Sequence, residues 1–124
     1  MIKGTGCDIV KVSRFEKWIS SSMIERFFNE KELLNGNACV GRQCEYYACR
    51  FAAKEAFSKA LGTGLTGFSL RDVYIKKNAA GKPELIVENK ALERVKEIFG
   101  EGCIFHVSLS HEKEYAVAYV IIEA

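Results

Sequence analysis

The chain has 124 residues, 48% hydrophobic and 27% charged, with one proline; this leaves room for a single core and lacks the bias of disordered, collagen-like or low-complexity sequences. A formal charge of +2 is too small to announce nucleic acid. No apolar run approaches the roughly 20 residues of a membrane span, and the first residues lack the basic-then-apolar layout of a secretion signal. A soluble, cytoplasmic protein with one domain over residues 1–124 is expected.

Residues 2–10, Ile-Lys-Gly-Thr-Gly-Cys-Asp-Ile-Val, read as a strand whose two glycines suggest close approach of another backbone. Ser13 with Glu16 has capping-box spacing and predicts a short helix with Phe15, Trp18 and Ile19 on one side. Ser22 with Glu25 repeats the signal ahead of Ile24, Phe27 and Phe28, and Asn29 with Glu32 offers a third start. From about Gly41 to Leu61 there is no proline, almost no β-branching and much Ala, Glu and Lys, so a long helix is predicted, with Gly62 just past its end. Residues 63–72 read as loop. Asp72–Lys77 and Glu84–Glu88 read as strands joined by a turn through Asn78–Pro83. Asn89 is the expected cap of a helix carrying Leu92, Val95, Ile98 and Phe99, stopped by Gly100. Ile104–Ser110 and Tyr115–Ile122 form an antiparallel pair across the charged turn His111–Glu114, and the last strand is apolar on both faces, which places it inside the molecule or against another subunit. The pattern is that of an α+β fold, a long helix packed on a small antiparallel sheet.

Asp8 stands alone on its side of the first strand, since Cys7 and Ile9 point the other way. It is either a solvent-facing aspartate or a hard-metal ligand awaiting a second carboxylate. Glu55 and Lys59 are four apart on the long helix, with Phe51 one turn earlier, so Glu55 lies near the boundary of the buried face. They form either a surface pair worth about 0.3–0.5 kcal/mol or a carboxylate and ammonium that hold Mg²⁺ and a phosphate together. Magnesium takes one or two protein carboxylates and fills its octahedron with water and substrate phosphate oxygens. The Gly62-Thr63-Gly64 turn is a cap and hinge whose N–H groups are also open to a phosphorylated ligand. His106, Ser108 and Ser110 share one strand face and Val107, Leu109 and His111 the other. The polar face is either solvated or lines a cleft for an anion or purine; a Ser–His–Asp hydrolase is excluded, because there is no nucleophile elbow. Residues 1–17 lean basic through Lys3, Lys11, Arg14 and Lys17. The five cysteines show no C-x-x-C and read as reduced, structural thiols.

In combination and order, Gly6-Cys7-Asp8-Ile9-Val10 with Arg14-Phe15, Phe51-Ala52-Ala53-Lys54-Glu55-Ala56 through Lys59-Ala60-Leu61-Gly62, Asn78 to Pro83, and His106-Val107-Ser108-Leu109-Ser110-His111 closely resemble the holo-acyl-carrier-protein synthase family, the small 4′-phosphopantetheinyl transferases. The resemblance covers nearly the whole chain; Cys7 stands where an aliphatic or small residue is expected. It implies that Asp8 and Glu55 match the family's magnesium ligands, completed by coenzyme A pyrophosphate oxygens and water, and that Lys59 matches the lysine on the phosphates. Arg50, the Gly81-Lys82-Pro83 turn, Gly62 and Gly64, and His106 with Ser108 and Ser110 fall where the coenzyme A substrate is bound. Arg14, with Lys17 and Arg26, would belong to the basic surface that docks the acidic apo-acyl carrier protein. A homotrimer with active sites between subunits is implied, and neither nucleic acid nor membrane is an expected partner. The alternatives are a module that binds coenzyme A without turnover and a basic protein- or RNA-interaction domain.

Overall fold

In the computed structural model, which describes residues 1–124, strand β1 (Ile2–Lys11) leads through a 3-10 turn (Val12–Phe15) into two short helices, α1 (Glu16–Ile19) and α2 (Met23–Phe27). A second 3-10 turn (Glu30–Glu32) precedes the long helix α3 (Val40–Leu61), and a third (Leu70–Asp72) precedes the hairpin β2 (Val73–Lys77) and β3 (Pro83–Val87). Helix α4 (Asn89–Phe99) then leads to the hairpin β4 (Ile104–His111) and β5 (Tyr115–Glu123). The fold is α+β, with α3 lying across a three-stranded antiparallel sheet of order β1-β5-β4. The hairpin β2–β3 is a separate antiparallel pair, with β3 beside β4.

Helix α3 owes its length to alanine, which has the highest helix propensity, and Ala48, Ala52, Ala53, Ala56 and Ala60 are all buried. It stops at Gly62, whose φ of 87° is left-handed and whose N–H bonds the Ser58 carbonyl at 3.1 Å. Opposite the helix, Ala116, Ala118, Val120 and Ile122 of β5 are fully buried. One connected core includes these residues, Ile24 of α2, the hairpin residues Val73, Ile75 and Leu85, and Val95 of α4. No helix is long and apolar enough to cross a membrane.

Several local expectations were resolved differently. Ser13 forms no cap, because Val12 and Phe15 turn into the core and the chain continues as a 3-10 turn before α1. At α2 the Ser22 side chain makes no cap either; Ser21 Oγ accepts the Met23 N–H at 3.2 Å. Asn29 and Glu32 do form a reciprocal capping box, but on a three-residue 3-10 turn. Asn89 is not the cap of α4: it has φ of 53° and its side-chain amide donates to Asp72 Oδ1 at 3.1 Å, leaving Glu88 at the N-cap. The last strand is interior on one face only. On the other, Tyr115 and Tyr119 are exposed, as are Ile9 on β1 and Ile104 on β4. All five cysteines are free thiols.

Candidate active site

The two glycines of β1 determine how the site is assembled. A side chain at Gly4 would run into the Ala60 carbonyl oxygen, and one at Gly6 into the Ala56 carbonyl oxygen and the Ala60 nitrogen. Only glycine lets β1 lie this close to α3. Two strand residues and four helix residues advance by similar lengths, about 6.6 Å and 6 Å. The next position on that face, Asp8, therefore arrives beside the preceding turn of α3, which carries Glu55.

Asp8 is half-buried and pairs with Lys59, Oδ1 accepting from Nζ at 2.9 Å. Lys59 Nζ also donates to the Cys7 carbonyl at 3.1 Å. The i,i+4 Glu55–Lys59 ion pair, the simpler of the two readings of that spacing, is not the pair that forms. Partial burial and then the Asp8 charge push the Glu55 carboxyl up from its ordinary value, while Arg14 and Lys59 pull it down. The hydrogen bond to Asp8 and its negative charge hold the Lys59 ammonium above the usual lysine value. Two carboxylates close enough to repel, with one ammonium between strand and helix, make a site for further positive charge. The donors are hard carboxylate oxygens, and no group of three or more His, Cys, Asp or Glu stands together. Asp8 and Glu55 therefore suit an oxygen-loving divalent cation that draws its remaining ligands from water and substrate.

The other candidate residues lie elsewhere. Arg50 is five positions before Glu55, about 140° around the helix, and faces a cleft of about 450 Å³ that Gly81, Pro83, Lys77 and His111 also line. Its guanidinium carbon lies 3.5 Å from the Tyr46 ring centroid, and its buried Nε has no partner. Lys82 and His106 share a neighbouring cleft of about 330 Å³ between β3 and β4. Ser108 and Ser110 lie on the outer sheet face with His106, which bonds Glu123 Oε1 at 2.9 Å. Gly62 and Gly64, both with positive φ, follow α3 one turn beyond Lys59. Gly62 has committed its N–H to Ser58. Arg14 is exposed, 5.2 Å from the Phe51 ring centroid and 5.5 Å from that of Trp18, while Lys17 and Arg26 are exposed on α1 and α2.

A buried ion pair escaped the reading of the sequence. Lys54 and Glu32 are both fully buried, with Nζ to Oε2 at 2.8 Å. The ammonium also donates to the carbonyls of Leu70 at 2.9 Å and Val73 at 2.6 Å. Glu32 in turn accepts the N–H groups of Asn29 and Ile75. Burial lowers the Lys54 pKa, opposed by Glu32. The pair ties the segment before α3 and strand β2 to the middle of the helix. The available signal was a lysine set among Ala52, Ala53, Ala56 and Phe57 on the apolar side of α3.

The 4′-phosphopantetheinyl transferase superfamily model matches residues 4–120. A holo-[acyl-carrier-protein] synthase of Treponema denticola is 48% identical over 124 residues, 99% of each chain. The chain belongs to the holo-[acyl-carrier-protein] synthase family. Among solved structures, the Bacillus anthracis holo-(acyl-carrier-protein) synthase in complex with CoA (3′,5′-ADP) is 38% identical, with a TM-score of 0.77 over 100% of this chain and 98% of that one. The Neisseria meningitidis holo-[acyl-carrier-protein] synthase is 36% identical, with a TM-score of 0.81 over the full length of both. In this chain, the glycine-mediated contact of β1 with α3 brings Asp8 to Lys59 and Glu55.

Proposed function

We propose that this synthase works with Mg²⁺ held by Asp8 and Glu55, and that it assembles as a homotrimer with its active sites between subunits. It transfers the 4′-phosphopantetheine group of coenzyme A to a serine of apo-acyl carrier protein, releasing adenosine 3′,5′-bisphosphate and serving fatty acid biosynthesis. The observation that carries the site assignment is the delivery of Asp8 to the Glu55 and Lys59 face of α3 by Gly4 and Gly6. A cytoplasmic location goes with this reading.

Transfer of this kind depends mainly on positioning and charge neutralisation. When bound, the divalent cation would neutralise the diphosphate and polarise the phosphoryl group. Lys59, held protonated by Asp8, acts as a fixed positive charge toward the phosphates and not as a base. Glu55, or a water activated by the bound cation, would accept the serine proton. Arg50 and the Gly81-Lys82-Pro83 turn form the nucleotide end of the substrate site, and His106, Ser108 and Ser110, on the outer sheet face, would reach a nucleotide held against a neighbouring copy. Gly62 and Gly64 bound its other side.

The trimer reading is supported by two features. The outer sheet face exposes Ile9 on β1, Tyr115 and Tyr119 on β5 and, at the far end, Ile104 on β4, apolar side chains that a subunit interface would cover. The acid pair and the Arg50 cleft lie on opposite flanks of α3, so a site using both draws them from neighbouring copies. The test is incubation with coenzyme A, Mg²⁺ and apo-acyl carrier protein, followed by intact mass. The carrier should gain one phosphopantetheine group, and Glu55→Gln should abolish the gain with the circular dichroism spectrum unchanged. Absence of any gain with the parent enzyme rejects the proposal.

A further inference from the structure

Arg14 makes no ion pair and no side-chain hydrogen bond, although it has five N–H donors and reaches the site closely enough for its charge to be felt at Glu55. Two rings hold it in place. The guanidinium carbon lies 5.5 Å from the Trp18 centroid and 5.2 Å from that of Phe51. The rings meet edge-to-face, with centroids 5.2 Å apart and planes at 81°. Trp18 is itself fixed against Phe15 at 4.8 Å and Phe27 at 5.4 Å. A cation seated on a rigid aromatic corner has lost much of its rotamer freedom before any partner arrives, and all its donors remain available.

We propose that Trp18 is a positioning residue for carrier-protein recognition: with Phe51 it forms a shelf that holds the Arg14 fork ready for a carboxylate of an acidic partner beside the Asp8–Glu55 site. The inference rests on the carrier-docking role that the family resemblance implies for Arg14. A planar guanidinium suits bidentate pairing with a carboxylate, and the shelf limits where its carbon sits. Phe51 also packs into the core, whereas Trp18 is only half-buried, so Trp18 is the residue to vary.

Trp18→Leu should raise the KM for apo-acyl carrier protein about 2- to 5-fold, the range for an exposed cation–π contact, with the KM for coenzyme A unmoved. Trp18→Phe, which keeps a ring face, should restore most of the loss. In an Arg14→Gln background, Trp18→Leu should add nothing, because Trp18 acts through Arg14. An unchanged carrier KM in Trp18→Leu, or full additivity with Arg14→Gln, overturns the shelf. If Arg14→Gln itself leaves the carrier KM unchanged, the docking reading falls and the shelf with it. A second measurement does not depend on the variants folding. Trp18 is the sole tryptophan, so its emission in the parent enzyme should change saturably as apo-acyl carrier protein is titrated in; an unaltered spectrum at saturation refutes the placement.

Discussion

Replacing Lys54 by Met tests the buried ion pair directly. In the parent, the ammonium satisfies Glu32 Oε2, the Leu70 carbonyl and the Val73 carbonyl at 2.6–2.9 Å, with neither side chain exposed. The substitution leaves the Glu32 carboxylate with two backbone N–H donors and no countercharge. Removing one partner of such a pair costs about 3–5 kcal/mol, a large share of the roughly 5–15 kcal/mol that holds a domain folded. With a urea slope of about 1–3 kcal/mol per molar, the midpoint should fall by about 2 M. Urea unfolding at pH 7, followed by circular dichroism, measures this. The double variant Lys54→Met, Glu32→Leu removes both charges and should be more stable than Lys54→Met alone, though below the parent, because the backbone groups lose their partners. A single-variant loss under about 1 kcal/mol, or a double variant no better than the single, would refute the reasoning.

The Glu55 environment gives a pH signature. Its carboxyl is raised above the unfolded value, so in that window the folded state holds the extra proton and stability falls as pH rises. Glu55→Gln removes the penalty and should melt above the parent at pH 7 in EDTA, with the advantage fading once the pH drops below the ordinary carboxylate range; equal melting at pH 7 contradicts the assignment. Mg²⁺ should raise the melting temperature of the parent but not of Glu55→Gln, as read by calorimetry. Gly6→Ala puts a methyl group against the Ala56 carbonyl and should cost about 1–3 kcal/mol, with transfer slowed at least about tenfold as Asp8 is displaced. Normal melting and turnover in that variant would rule out the close approach as the organising contact. Arg14→Glu should raise the KM for carrier protein far more than that for coenzyme A; equal effects argue against docking.

The features legible in the sequence were those with a local cause. Alanine-rich composition and a terminal glycine mark α3, and alternation marks the strands. The glycines of β1 announce a close approach, although only the structure shows that α3 is the partner. Capping spacings were less informative. Ser13–Glu16 and Asn29–Glu32 look alike in sequence, yet only the second closes, because core packing of Val12 and Phe15 determines the backbone at the first. Lys54 was hidden for a different reason. A lysine inside an apolar stripe is tolerable only if a distant acid meets it, and Glu32 does so from 22 residues away; no local pattern encodes such a meeting. Glu55 and Lys59 were legible as neighbours, but the helix spacing gave no hint that Lys59 would turn to Asp8.

The backbone-to-backbone seating of β1 on α3 has no side chain that can repack to absorb an error. A single-residue insertion or deletion between Gly6 and Asp8 would turn the aspartate to the outer face of the sheet. A similar change between Glu55 and Ala60 would rotate the glutamate by about 100° around the helix axis. Loop length between Gly64 and Phe68 carries no such constraint, so the chain should accept length variation in residues 65–67 while those two short stretches behave as a fixed ruler.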